Sequence, residues 1–319
     1  MKTHTQLAKH FIAVLLFSTL VLVFSNSFAI NSLDDGLQAY KAGDYRKAFK
    51  ILMPLAEQGD AKAQTGLGLM YIGGRGVEKN YKQAMHWYRK AADQGLGIAQ
   101  LNVAVMYKQG QGVKQDFKQA VHWYKKAAGQ GFPSAKNELG LMYQNGLGVK
   151  QDFKQAMHWY EKAAEQGNAK AQLNLGSMYS KGRGVKQDFK QTVYWYQKAA
   201  EQGSEIAHNR LGLKYLDGSG VEQDFKQAAH WFRKGAEQGS LIALGLLGNM
   251  YEDGQGVEQS DLEFYKWYSL ISLNIESDGY SWGKLKNGLY KIYLGFKLNS
   301  AQKKEADEWV KNWKPKYGK

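Results

Sequence analysis

A step of 36 residues organises most of this chain. Trp87, Trp123, Trp159, Trp195, Trp231 and Trp267 are spaced by it, and so are Tyr71, Tyr107, Tyr143, Tyr179, Tyr215 and Tyr251. Gly-x-Gly-Val loops recur at the same interval, from Gly74/Gly76/Val77 to Gly254/Gly256/Val257. Self-similarity at such a period means a stack of like supersecondary units rather than one compact core. Six units span 60–275, leaving residues 1–59 before them and a tail over 276–319.

Each unit reads as two helices. In the unit near Asn168, residues Ala171, Leu175, Met178 and Tyr179 fall on one helical face. Gly182-Arg183-Gly184-Val185 then turns the chain. Asp188 is placed to N-cap a second helix, with Gln191 three residues on completing a capping box. Asp116/Gln119, Asp152/Gln155 and Asp224/Gln227 repeat the pattern, and Asn80/Gln83 is a close variant. Phe189, Val193, Tyr196, Ala199 and Ala200 give the second helix its apolar stripe, and Gly203 ends it. One such hairpin cannot bury its apolar face alone, so the units must stack. The expected fold is all-α: an α/α solenoid, a right-handed superhelix of helix-turn-helix repeats.

The recurring string Ala-x-x-x-Leu-Gly-x-Met-Tyr, Gly-x-Gly-Val, Asp-Phe-x-x-Ala-x-x-Trp-Tyr-x-Lys-Ala-Ala closely resembles the Sel-1-like repeat, a relative of the tetratricopeptide repeat. The resemblance covers 60–275. Residues 30–59 look like a partial leading repeat, with Tyr40, Asp44, Tyr45 and Ala48 on a shortened hairpin. Residues 276–319 look like terminal capping helices carrying Trp309 and Trp313. Departures are few: Val103-Ala104 replaces Leu-Gly, Thr192 and Tyr194 replace Ala and His, and Gly235 replaces Ala.

The residues offer little chemistry. There is no cysteine, which excludes disulfides, thiolate metal sites and a cysteine nucleophile. Some cysteine-rich secreted members of the family are linked to penicillin binding or hydrolysis, so that activity is not carried over. His86, His122, His158 and His230 share one repeat position. Zinc ligands must lie ~2.0–2.1 Å from the metal, while packed helices are ~8–10 Å apart, so these read as surface histidines. The glycine loops lack the preceding strand and the Gly-Lys-Ser/Thr of a phosphate loop. The recurring acids are N-cap aspartates and helix-end Glu165, Glu201 and Glu237. No catalytic residue, cofactor or metal is therefore expected.

The N-terminus reads as a secretory signal over 1–29: Lys2 and Lys9, an apolar run from Phe11 to Phe24, then Ser27-Phe28-Ala29. The run is short of the ~20 residues of a spanning helix. Cleavage after Ala29 is expected, with an uncleaved anchor as the alternative, so the mature chain is placed in the periplasm or outside the cell. The formal charge is +14, and lysines concentrate on the second helices, as at Lys118, Lys154 and Lys190. An anionic envelope polymer could meet them, although charge of this kind usually serves solubility. Nothing points to nucleic acid.

What remains is a binding surface. Solenoids line a concave face with the first helix of each unit. The resemblance implies which positions point there: two before, two after and five after the leucine of Leu-Gly. The expected partner-binding set is Leu101, Val105, Asn137, Leu141, Gln144, Leu173, Ser177, Asn209, Leu213 and Leu216. These vary between units while the packing positions do not. The expected function is an exported adaptor or scaffold holding a protein or peptide in that groove, in envelope assembly or host contact. The alternatives are a module binding envelope polysaccharide or peptidoglycan, and a peptidoglycan or β-lactam hydrolase.

Overall fold

A computed structural model describes residues 32–276 and 297–313. The expected signal over 1–29 and much of the tail lie outside these residues. The described residues form fifteen helices and no strand. They divide into two compact units, at Phe132 and Pro133. The first contains a leading pair, α1 (Leu33–Lys41) and α2 (Tyr45–Glu57). Two full pairs follow it: α3 (Ala61–Gly73) with α4 (Tyr81–Asp93), and α5 (Gly97–Gln109) with α6 (Phe117–Gly129). The second contains α7 (Pro133–Asn145) with α8 (Phe153–Ala164), and α9 (Ala169–Lys181) with α10 (Phe189–Glu201). It continues with α11 (Glu205–Asp217) and α12 (Phe225–Glu237), then α13 (Leu241–Asp253) and α14 (Asp261–Glu276), and ends with α15 (Ser300–Asn312). Within each unit the pairs pack in series, the all-α solenoid arrangement that the period implies.

Five of the pairs close on an aromatic side chain laid over a glycine; the α5–α6 pair has Ala104 there, and the leading pair has Gly36 against Leu52. A Cβ at Gly176 would stand 2.6 Å from the Tyr196 ring, so the Leu-Gly glycine lets the second helix lie flat on the first. Tyr160 over Gly140 and Phe232 over Gly212 repeat the contact. The tryptophans look the other way, toward the preceding pair. Trp195 of α10 packs on the cluster around Met157 and Tyr160, and Trp231 of α12 on the cluster around Val193 and Tyr196.

The connecting loops are locked by two recurrent bonds. The backbone N–H of Asp188 donates to the Tyr179 carbonyl at 3.1 Å, as Asp116 does to Tyr107, Asp152 to Tyr143 and Asp224 to Tyr215. That occupies the donor a capping box needs. The aspartates do cap their helices, Asp188 accepting from the Gln191 N–H at 2.9 Å, but the expected return bond from the glutamine side chain is not made. Instead the glutamine before each aspartate satisfies a helix-end carbonyl: Gln187 Nε2 donates to Ser180 O, and Gln151 to Gln144 O, both at 2.8 Å. Gly184 in this loop has φ +74° and lies against the Phe153 carbonyl of the previous pair. A side chain there is excluded twice over, by the left-handed backbone and by the contact.

A second line of polar staples, invisible as periodic hydrophobicity, ties pair to pair. Buried Gln64, Gln100 and Gln172 each donate to an alanine carbonyl at the end of the preceding helix, at 3.0, 3.3 and 3.2 Å. Each also accepts from the helix-end glutamine of its own pair, Gln94, Gln130 and Gln202 respectively, at 2.8–2.9 Å. His208 takes the same place in the next pair, between Ala200 O at 3.2 Å and Gln238 Oε1 at 3.3 Å, and stacks on Trp231. At the end of the second unit, Lys266 reaches Glu305 on α15 at 2.8 Å, and Trp309 meets Trp267 at 5.2 Å.

Candidate interaction surface

The first helices provide the surface expected to carry function. In the first unit Leu101 and Val105 on α5 are half-buried. In the second unit the other eight expected positions split into two groups. Leu141, Gln144, Ser177, Leu213 and Leu216 are half-buried or exposed, with Leu213 at 40%. Asn137, Leu173 and Asn209 are buried, so none of these three touches a partner in this conformation.

Those three share the position two before the Leu-Gly leucine, and the neighbouring first helix covers it. Asn174 donates to Asn137 Oδ1 at 3.0 Å, and Asn209 Nδ2 donates to Ser240 Oγ at 2.7 Å. Asn209 also accounts for Gly235: a Cβ there would lie 2.5 Å from Asn209 Oδ1. Variation between units at this position reflects neighbours fitting each other, not an open groove. Gln144 is also engaged, accepting from the Tyr160 hydroxyl at 3.1 Å.

The sequence reading missed three exposed aliphatics of the second unit. Ile206 is 53% exposed on α11, and Leu241 and Ile242 are 41% and 62% exposed on α13. With Leu246, Asn249, Tyr268 and Ile271, the pair Leu241 and Ile242 lines an open groove of ≈ 440 Å³ between α13 and α14. The signal was present: the position carries Lys62, Ser134 and Lys170 in three repeats but Ile98, Ile206 and Ile242 in the others, an aliphatic where a polar side chain also serves. On α11 and α13, Ile206 and Ile242 lie seven residues, two helical turns, before Leu213 and Asn249, and therefore on the same face.

The other sequence-marked residues fall outside this surface. His86, His122, His158 and His230 stand exposed on four separate second helices, each edge-on to the following tryptophan. Among the described residues no helix is long and apolar enough to cross a membrane.

Antiparallel helix pairs in series, with a fixed aromatic and glutamine frame and varied first-helix surfaces, define a tandem helical-repeat protein. The sequence model of the Sel1 repeat matches residues 61–96, 97–132, 133–168, 169–204, 206–240 and 241–272, and the chain belongs to that family. It is similar in structure to a protective antigen present in uropathogenic Escherichia coli strains, which displays an SLR fold. Identity there is 39% and the TM-score 0.73, over 82% of this chain and 55% of the antigen, so the chain spans about half of that relative. A Sel1 repeat protein from Oxalobacter formigenes is 34% identical with a TM-score of 0.69, over 76% of this chain and 100% of that one. No curated protein matches the sequence.

Proposed function

We propose that this chain is an exported, non-catalytic scaffold that holds a protein or peptide on the first-helix face of its second unit. The role envisaged is in envelope assembly or host contact. The observation that carries the reading is the set Ile206, Leu213, Leu241 and Ile242: the exposed large aliphatics of the second unit, all on its first helices. Exposed apolar residues gathered on one face mark interaction sites, and proteins with Sel1 repeats commonly mediate protein interactions. Leu141 and Ser177 extend the same helix position across α7 and α9.

Leu213→Glu with Ile242→Glu should abolish capture of the partner recovered from native envelope while leaving the helical circular dichroism intact. Lys118→Glu, Lys154→Glu and Lys190→Glu together should retain it. Retention by the first variant and loss by the second moves the site to the second helices. Export is checked by intact mass: the native protein should begin at Ile30, and a mass that includes residues 1–29 means an uncleaved leader. Reproducible turnover of nitrocefin or peptidoglycan, abolished by one substitution, would overturn the non-catalytic reading.

A further inference from the structure

The second helices of the second unit carry a pattern that the scaffold reading does not use and that packing uses only in part, Lys162 and Lys234 lying over the Trp159 and Trp231 rings at 5.5 and 4.8 Å. At i, i+4 and i+8, which lie on one helix face, α8 presents Lys154, His158 and Lys162. On α10 the same row is Lys190, Tyr194 and Lys198, and on α12 it is Lys226, His230 and Lys234. Eight of these nine side chains are exposed, and Lys198 is half-exposed. Trp195 and Trp231 join α10 to α8 and α12 to α10, so the three rows lie side by side. They make three lanes across the helices: a lysine lane, a lane of rings, and a second lysine lane about 12 Å from the first at 1.5 Å per residue. In the first unit α4 and α6 show the same row, Lys82, His86, Lys90 and Lys118, His122, Lys126.

The first lysine lane opposes the fold's own electrostatics. Lys154, Lys190 and Lys226 are each the second residue of their helix, at the positive end of the helix dipole, where a cation is unfavourable. None of the three has an ion pair among the described residues. The nearby carboxylates of Asp152, Asp188 and Asp224 are engaged by the N–H groups of Gln155, Gln191 and Gln227 at 2.9–3.0 Å. The acids of this face gather at the far end instead, as Glu161, Glu165, Glu201 and Glu237, with Lys198 bonded to Glu201 at 3.2 Å. The ring lane is held in place: His158, Tyr194 and His230 stand edge-on to Trp159, Trp195 and Trp231, at centroid distances of 5.6, 5.0 and 5.2 Å.

We propose that this face binds a linear carboxylated polysaccharide lying across α8, α10 and α12. Charge complementarity selects a polyanion, and the lane order selects its kind. In a linear polyuronate, successive sugar rings turn about the chain and send carboxylates to alternate sides. The sugar rings then lie on His158, Tyr194 and His230, while the carboxylates meet the lysine lanes on both flanks. A single-stranded nucleic acid carries its phosphates along one edge and its flat bases along the other, and so matches only one lysine lane. A lipid surface would call for aliphatic side chains in the middle lane, which has none. The site is separate from the first-helix face, and neither reading depends on the other.

Binding of the whole chain to polygalacturonate, to fully methyl-esterified polygalacturonate and to oligothymidylate tests this. Polygalacturonate should bind, more weakly as salt rises, and the uncharged ester should not. Lys154→Gln, Lys190→Gln and Lys226→Gln together should weaken polygalacturonate about tenfold, as expected for three exposed charge contacts. His158→Ala, Tyr194→Ala and His230→Ala together should weaken it severalfold while leaving the lysines in place. Lys303→Gln with Lys304→Gln on α15 should change nothing. Should either triple variant lose helicity, Lys190→Gln and Tyr194→Ala singly carry the same comparison. The proposal fails if polygalacturonate does not bind at low salt, if the ester binds as well, or if either lane can be removed without effect. Tighter binding of oligothymidylate would overturn it in favour of nucleic acid.

Discussion

At the scale of single residues, one amino acid does opposite things at different sites. Gly176 is pinned under Tyr196, with 2.6 Å to a would-be Cβ, whereas a Cβ at Gly245 would meet only Ile271 at 3.7 Å. Both are helical, so alanine gains about 1 kcal/mol of helix propensity at either. At Gly176 that gain is outweighed by overpacking of about 1–3 kcal/mol. Gly176→Ala should therefore lower the denaturant midpoint and Gly245→Ala should raise it. His208 is a second case. Burial lowers its pKa first of all, opposed by the bonds to Gln238 and the Ala200 carbonyl, with Lys234 and His230 lowering it further. The folded chain keeps the ring neutral at a pH where the unfolded chain, with a histidine pKa of ~6.5, takes up a proton. The stability it contributes is present above that value and lost as pH falls through the window below it. His208→Gln restores the residue used at Gln64, Gln100 and Gln172, so it should hold the fold and flatten the fall in urea midpoint between about pH 7 and pH 5. An unchanged slope would mean that His230, whose pKa burial also lowers, carries the dependence.

At the scale of elements, the sequence was legible where a residue's role is set by its own helix. The stripe Ala171, Leu175, Met178 and the N-cap Asp188 stand where 3.6-residue periodicity and capping chemistry put them. It was less legible where the role depends on the neighbour. Asn137 and Asn209 varied between repeats and so resembled free surface, yet each is matched to a partner, Asn174 and Ser240. The capping-box return bond failed for a similar reason, because Tyr179 of the preceding helix takes the Asp188 N–H. Packing within one helix shows as period; packing between helices shows as compensation, which one sequence cannot display. The tryptophan row tests how far the period can be trusted. Trp123 is fully buried, with Arg89 and Lys126 over its ring, and Trp123→Ala should cost about 3–5 kcal/mol. Trp159 is half-buried and its loss should cost less. His158→Ala, exposed beside it, should stay within about 0.5 kcal/mol. Urea denaturation followed by circular dichroism ranks the three, and an equal effect of Trp123→Ala and His158→Ala would refute the assigned helix face.

At the scale of the whole molecule, the governing fact is that packing within each described unit runs from one helix pair to the next. Among the described residues, pairs within a unit pack chiefly on their neighbours in sequence, through one aromatic and one glycine loop at each junction, with a glutamine or histidine staple at every junction but the last, where the position is buried Leu244. Stability in such an array is a sum of unit and nearest-neighbour contributions, so damage stays local. This separates the two functions proposed for the second unit: the first-helix face and the lysine lanes use different helices of the same frame, and each can change without unmaking the other. It also makes a prediction that a single cooperative core would not share. Hydrogen exchange on Gly212→Ala, which crowds Phe232 within the α11–α12 pair, should rise most in α11 and α12. It should rise less in the adjoining α10 and α13, and least in α7 and α8 of the same unit. Opening free energies that fall equally in α7, α8, α11 and α12 would mean that the unit unfolds as one body. The independence of its two faces would then have to rest on the ligands alone.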